Sequence, residues 1–90
     1  MKVIRKRHFL FALKEILRYI SLDKPSAAQN FLFELDRRID ALPGNPFLYR
    51  KSIYFDDEKY RDLVFMGYTV VYRVDRDAVR VLEIFKWVER

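Results

Sequence analysis

Residues Leu13–Leu42, LKEILRYISLDKPSAAQNFLFELDRRIDAL, carry the pattern that decides the fold. Leu10, Leu13, Ile16, Leu17 and Ile20 recur at steps of three and four, which predicts one face of a helix. Ala28, Phe31, Leu32, Leu35, Ile39 and Leu42 repeat that spacing and predict a second. Between them stands Asp23-Lys24-Pro25. Proline has no backbone N–H and suits a first helical turn, so the second helix is expected to start at Pro25. Two apolar stripes so close in sequence cannot bury each other fully. They need a third layer, which the rest of the chain must supply.

The flanks supply strands. Lys2–Lys6 is short, β-branched at its centre and charged at both ends, as an edge strand requires. After Leu42, Pro43-Gly44-Asn45-Pro46 ends the second helix with two turn signals in succession. Residues 43–58 form a long connection bearing Phe47, Tyr49, Tyr54 and Phe55. A connection of this length in a compact domain needs anchors, and the aromatics are the expected ones. Ser52–Phe55 reads as a short strand and Asp56-Asp57-Glu58 as an acidic turn. Tyr60–Met66 and Tyr68–Val74 alternate and flank Gly67. Asp75-Arg76-Asp77 is a turn of hairpin length, and Val79–Trp87 is the last strand.

The chain is thus expected to be one α+β domain over residues 1–90, in two layers and in the order β-α-α-β-β-β. An antiparallel sheet would be covered on one face by the helical hairpin. Tyr68, Val70, Tyr72, Leu82 and Ile84 are expected against the helices. Arg61, Leu63, Phe65, Val71, Arg73, Glu83, Phe85 and Trp87 are expected on the open face. An apolar, aromatic surface with charged neighbours marks a binding surface. Phe33 lies off its helix's main stripe, as core or as an exposed anchor.

Composition narrows the function. Half of the residues are hydrophobic (51%), enough for a core and against disorder. No apolar run reaches the roughly 18–20 residues that span a bilayer, and no signal-peptide core follows the basic start. The absence of cysteine excludes disulfides and thiolate chemistry and fits a cytoplasmic protein. With one histidine, His8, a metal site is not expected, and no glycine-rich phosphate loop is present. No cofactor or small-molecule substrate is implied. The formal charge of +5 is uneven, with residues 1–55 at +6 and 56–90 at −1. A basic surface suits nucleic acid or an acidic protein segment.

The ordered set of segments resembles the ParE/RelE superfamily of toxins from type II toxin–antitoxin pairs, and is closest to the ParE branch. Those segments are the helical hairpin, the Pro46 region, YRDLVFMGYTVVYRVD and VRVLEIFKW. The resemblance implies a sheet whose first strand lies beside its last, and a cognate antitoxin wrapped around the toxin. It implies DNA gyrase as the target in the ParE branch, or the ribosome and its mRNA in the RelE branch. RelE-type nucleases use clustered cations to stabilise the charge developing on phosphate.

Of those cations, Arg61 matches one position and Lys86 another. Leu63 stands where a second basic residue is found, and Thr69 replaces the Arg that follows the Gly-Tyr pair. A ribonuclease is therefore disfavoured, with Arg61 and Lys86 its only carried-over catalytic candidates. The ParE pattern also departs at the end, where Glu83, Lys86 and Val88-Glu89 occupy places of Arg, His and a basic tail. A non-toxic interaction domain is the remaining alternative. The residues expected to meet the target or antitoxin are Arg61, Leu63, Phe65, Arg73, Phe85, Lys86 and Trp87.

Overall fold

A computed structural model describes residues 1–86. Strand β1 (Lys2–Arg5) leads into helix α1 (Arg7–Asp23) and helix α2 (Pro25–Asp40). A 3-10 turn, Leu42–Gly44, and an irregular segment lead to β2 (Arg50–Lys51). Strands β3 (Tyr60–Phe65), β4 (Tyr68–Val74) and β5 (Ala78–Lys86) follow. The sheet order is β1-β5-β4-β3-β2. Pro25 occupies the start of α2, as its missing N–H dictates.

The α+β architecture is the one the sequence implies, with the helical hairpin on one face of the sheet. Strands β2 to β5 pair antiparallel, while β1 runs parallel to β5, so the sheet is mixed. β2 is Arg50–Lys51 rather than the expected Ser52–Phe55.

The core lies between hairpin and sheet. Phe9, Leu13, Phe31, Leu35 and Ile39 meet Leu63, Phe65, Val70, Tyr72, Val79, Val81 and Ile84. Phe31 packs its ring 5.2 Å from Phe65 and 5.4 Å, edge-on, from Tyr68. Leu10, expected in the α1 stripe, is partly exposed, and Phe9 takes the buried place. Phe33 is exposed. Arg5, at the end of β1, reaches α2 and donates to Asp36 (3.3 Å) and Asp40 (2.9 Å), one helical turn apart.

Two strands depart from the expected faces. Leu63 and Phe65, expected on the open face, are buried beneath the helices. The β3–β4 turn holds two residues, Met66 and Gly67, both at positive φ (49° and 84°), so Phe65 stands opposite Tyr68. That is the geometry of a type I′ hairpin. Reading Gly67 alone as the turn pairs Met66 with Tyr68, and a slip of one residue exchanges every side chain between faces.

In β5, Val71 pairs with Glu83 but Tyr72 pairs with Val81, which leaves Leu82 as an extra, bulged residue. Val81 therefore points into the core, and Leu82, expected against the helices, is displaced from it.

Candidate functional site

The candidate surface is built where the 43–58 connection turns around the β3 edge. On the helix side, the Tyr72 hydroxyl donates to the Pro46 carbonyl at 2.7 Å. Burial pushes this phenol well above its usual range. Arg61 lies beside it. Its Nε and Nη2 donate to the Glu58 carbonyl (2.9 Å) and carboxylate (3.0 Å), and its guanidinium lies 4.8 Å from the Phe47 ring centre. A longer bond, 3.4 Å, runs to the Tyr49 carbonyl. The side chain is only 14% exposed. Arg61 thus fastens the connection to β3.

The connection then crosses to the other face. The Ser52 N–H donates to the Tyr60 carbonyl at 2.8 Å. The carboxylate of Asp62, fully buried, accepts the Ile53 N–H at 3.1 Å, with Arg50 at 3.5 Å. Tyr54 packs edge-on against Phe85 at 5.1 Å, and Phe55 stacks on Tyr60 at 4.2 Å. Thr69 and Val71 are buried although they face away from the helices. The chain's own segment Ser52–Phe55 therefore covers much of the face that the sequence reading left open. Ile53 and Tyr54 present new apolar surface outside it.

Farther along that face, Arg73 and Arg80 stand opposite each other on β4 and β5. Arg73 Nε lies 3.0 Å from both Asp75 oxygens, and Arg80 reaches Asp75 (2.8 Å) and Asp77 (3.3 Å). Burial pushes the Asp75 carboxyl up, but the hydrogen bonds from Arg73 and Arg80 outweigh it and hold the group below its ordinary range. Asp77 is lowered chiefly by its bond from Arg80. These charges neutralise one another and order the β4–β5 turn.

The expected contact residues therefore do not form one patch. Leu63 and Phe65 are core, and Arg61 is engaged under the connection. Arg73 and Phe85 lie on the far face. Lys86 is exposed opposite Tyr68, and Trp87 lies outside the described residues. Arg61 pairs with Tyr72 and Lys86 with Tyr68. Those positions are four residues apart on β4, about 14 Å along the strand. The two basic candidates for phosphate chemistry are not brought together. Among the described residues no group of His, Cys, Asp and Glu is placed to hold a metal.

An apolar groove at the other end of the sheet was not read from the sequence. A cavity of about 430 Å³ lies between α1 and the end of β5, walled by Ala12, Ile16, Tyr19, Tyr68 and Ile84, with Lys86 at its rim. Beyond the Tyr68 ring, a second of about 510 Å³ lies between α2 and the Met66 turn. Tyr19 and Met66 are largely exposed there. The signal was present in Tyr19, which adjoins the α1 stripe without belonging to it. No described helix is long and apolar enough to cross a membrane.

The architecture is shared with known molecules. The chain superposes on a solved chain titled "Chromosomal ParDE TA system from P. aeruginosa" with a TM-score of 0.78. The match covers 98% of this chain and 97% of that one at 16% identity, which establishes a common fold. The shared fold is a two-layer α+β domain with a helical hairpin on one face of a mixed sheet. The sequence matches the family described as "ParE toxin of type II toxin-antitoxin system, parDE" over residues 3–86, and the chain belongs to that family. No curated protein matches the sequence closely enough to count as a relative.

Proposed function

We propose that this chain, over residues 1–90, is a cytoplasmic toxin that inhibits DNA gyrase and is neutralised by a cognate antitoxin. The observation that carries the reading is membership of the ParE toxin family over nearly the whole chain. The solved structure of the same fold is titled a ParDE toxin–antitoxin system, which supports an antitoxin partner here. The net charge of +5 suits a target that handles DNA.

Inhibition by binding is also supported by what the basic residues do. Arg61 is spent on Glu58 and the Tyr49 carbonyl, and Arg73 on Asp75. Lys86 is exposed and meets no acid within 4.0 Å among the described residues. It and the neighbouring Phe85 are the expected target contacts, with Arg61 and Arg73 holding the surface in shape.

DNA supercoiling by purified gyrase tests the proposal. Added protein is expected to suppress supercoiling, and the antitoxin encoded beside it is expected to restore it. Undiminished supercoiling at large molar excess would overturn the gyrase assignment.

A further inference from the structure

Two buried oxygens beneath the covering segment meet no hydrogen-bond partner among the described residues, Asp62 Oδ1 and Thr69 Oγ1. Their residues are 1% and 0% exposed. Burying a carboxylate oxygen or a hydroxyl with nothing bonded to it is costly, so protein interiors supply a partner from the chain or from ordered water. The other carboxylate oxygen, Asp62 Oδ2, is served by the Ile53 N–H at 3.1 Å, with Arg50 at 3.5 Å.

Strand register brings the two oxygens together. Asp62 stands opposite Val71 and Val64 opposite Thr69, so all four share one face and Asp62 and Thr69 form its diagonal. Diagonal neighbours have Cβ atoms about 7 Å apart. Two hydrogen bonds of about 2.8 Å end to end span about 5.6 Å, so one small molecule can bond to both side chains. The cover closes over this place. The Tyr54 N–H donates to the Ser52 hydroxyl at 3.1 Å, and the Tyr54 ring meets Phe85, the β5 partner of Thr69.

Chemistry selects the molecule. A carboxylate oxygen only accepts, while a hydroxyl donates or accepts, so the bridge must donate at the Asp62 end. Water does this and accepts from Thr69 at the other end. A metal cation is disfavoured, because the Arg50 guanidinium already places positive charge beside the carboxylate.

We propose that one internal water bridges Asp62 Oδ1 and Thr69 Oγ1 beneath Ser52–Phe55. Thr69 is then a positioning residue: through the water it fixes the carboxylate that holds Ile53 down. The bridge does not depend on the identity of the toxin's target.

Thr69→Val tests it, since valine keeps the shape and the β-branching and removes only the hydroxyl. The variant is expected to unfold at lower denaturant, with its folding constant reduced about fivefold, the worth of one hydrogen bond. Exchange at the Ile53 amide is expected to accelerate. Oxygen-17 relaxation dispersion of the solvent, which counts long-lived internal waters, is expected to lose amplitude in Thr69→Val and to keep it in Thr69→Ser. An unchanged or higher denaturant midpoint in Thr69→Val would overturn the bridge, because deleting a hydroxyl that has no partner is neutral or stabilising. Equal dispersion in the parent and Thr69→Val would also overturn it. So would a parent midpoint that rises when sodium or potassium replaces choline at constant ionic strength, which would put a cation there instead.

Discussion

The Tyr72 hydroxyl meets the Pro46 carbonyl at 2.7 Å across a span of 26 residues, from the middle of the sheet to the start of the irregular connection. This bond holds the connection on the helix side before it turns around β3. Removing it by Tyr72→Phe is expected to cost about 1 kcal/mol, the net worth of one hydrogen bond. Because burial raises the phenol's pKa, the folded chain favours the neutral form. That contribution is complete below the ordinary tyrosine value of about 10 and declines as pH rises beyond it toward the folded value. Urea unfolding followed upward from neutral pH should show an alkaline decline in the parent that is shallower in Tyr72→Phe.

The phase of β3 is checked by two neighbouring positions. Leu63 has no exposure and lies in the core, while Val64 is partly exposed on the other face. Leu63→Ala is expected to cost about 2–5 kcal/mol. Val64→Ala is expected to cost well under that, in the range of about 0.5 kcal/mol for surface changes. Denaturant midpoints of the two variants decide it, and equal losses would contradict the pairing of Phe65 with Tyr68.

Asp62 is the anchor of the covering segment. Its buried Oδ2 accepts the Ile53 N–H. Asp62→Ala leaves that donor unpaired, at an expected cost of about 1–3 kcal/mol. Asp62→Asn retains an acceptor and should cost less. Hydrogen exchange at the Ile53 amide is the direct readout, expected to accelerate strongly in the alanine variant while the amides of β4 stay protected.

The turn at Asp75 predicts the acid limb of stability. Its carboxyl is held below the ordinary range, so its contribution is present above the unfolded value of about 3.9. That contribution is lost as pH falls through the lower folded value. Asp75→Asn is expected to lower stability at neutral pH by about 1 kcal/mol, allowing for partial screening by solvent. It should also flatten the decline below about pH 4, measured by thermal unfolding across acid pH.

Arg61 and Lys86 separate scaffold from contact. Arg61→Ala removes three bonds to the connection and is expected to lower the melting temperature. Lys86→Ala touches an exposed side chain and should leave stability within about 0.5 kcal/mol while weakening gyrase inhibition. A Lys86→Ala protein that inhibits as well as the parent would move the contact surface elsewhere.

Much of this architecture was readable from residue spacing, because helix periods and proline chemistry act locally. The break at Pro25 and the two stripes of the hairpin required no knowledge of distant contacts. That the first strand lies beside the last was expected from the family resemblance, though not that the two run parallel. The faces of β3 and β5 were not readable. Each depends on where a partner residue falls, and one extra residue in a turn or bulge exchanges the two faces. The candidate surface failed for that reason at Leu63 and Phe65.

The sequence by itself determined the helices, the strand-forming runs and the surplus of positive charge, since these follow from side-chain chemistry within a few residues. Only the tertiary structure decided which cations are spent within the fold, and that Ser52–Phe55 lies over the back of the sheet. Those outcomes join residues such as Asp62 and Ile53, or Tyr54 and Phe85, whose attraction is set by geometry across the folded chain and leaves no period in the sequence.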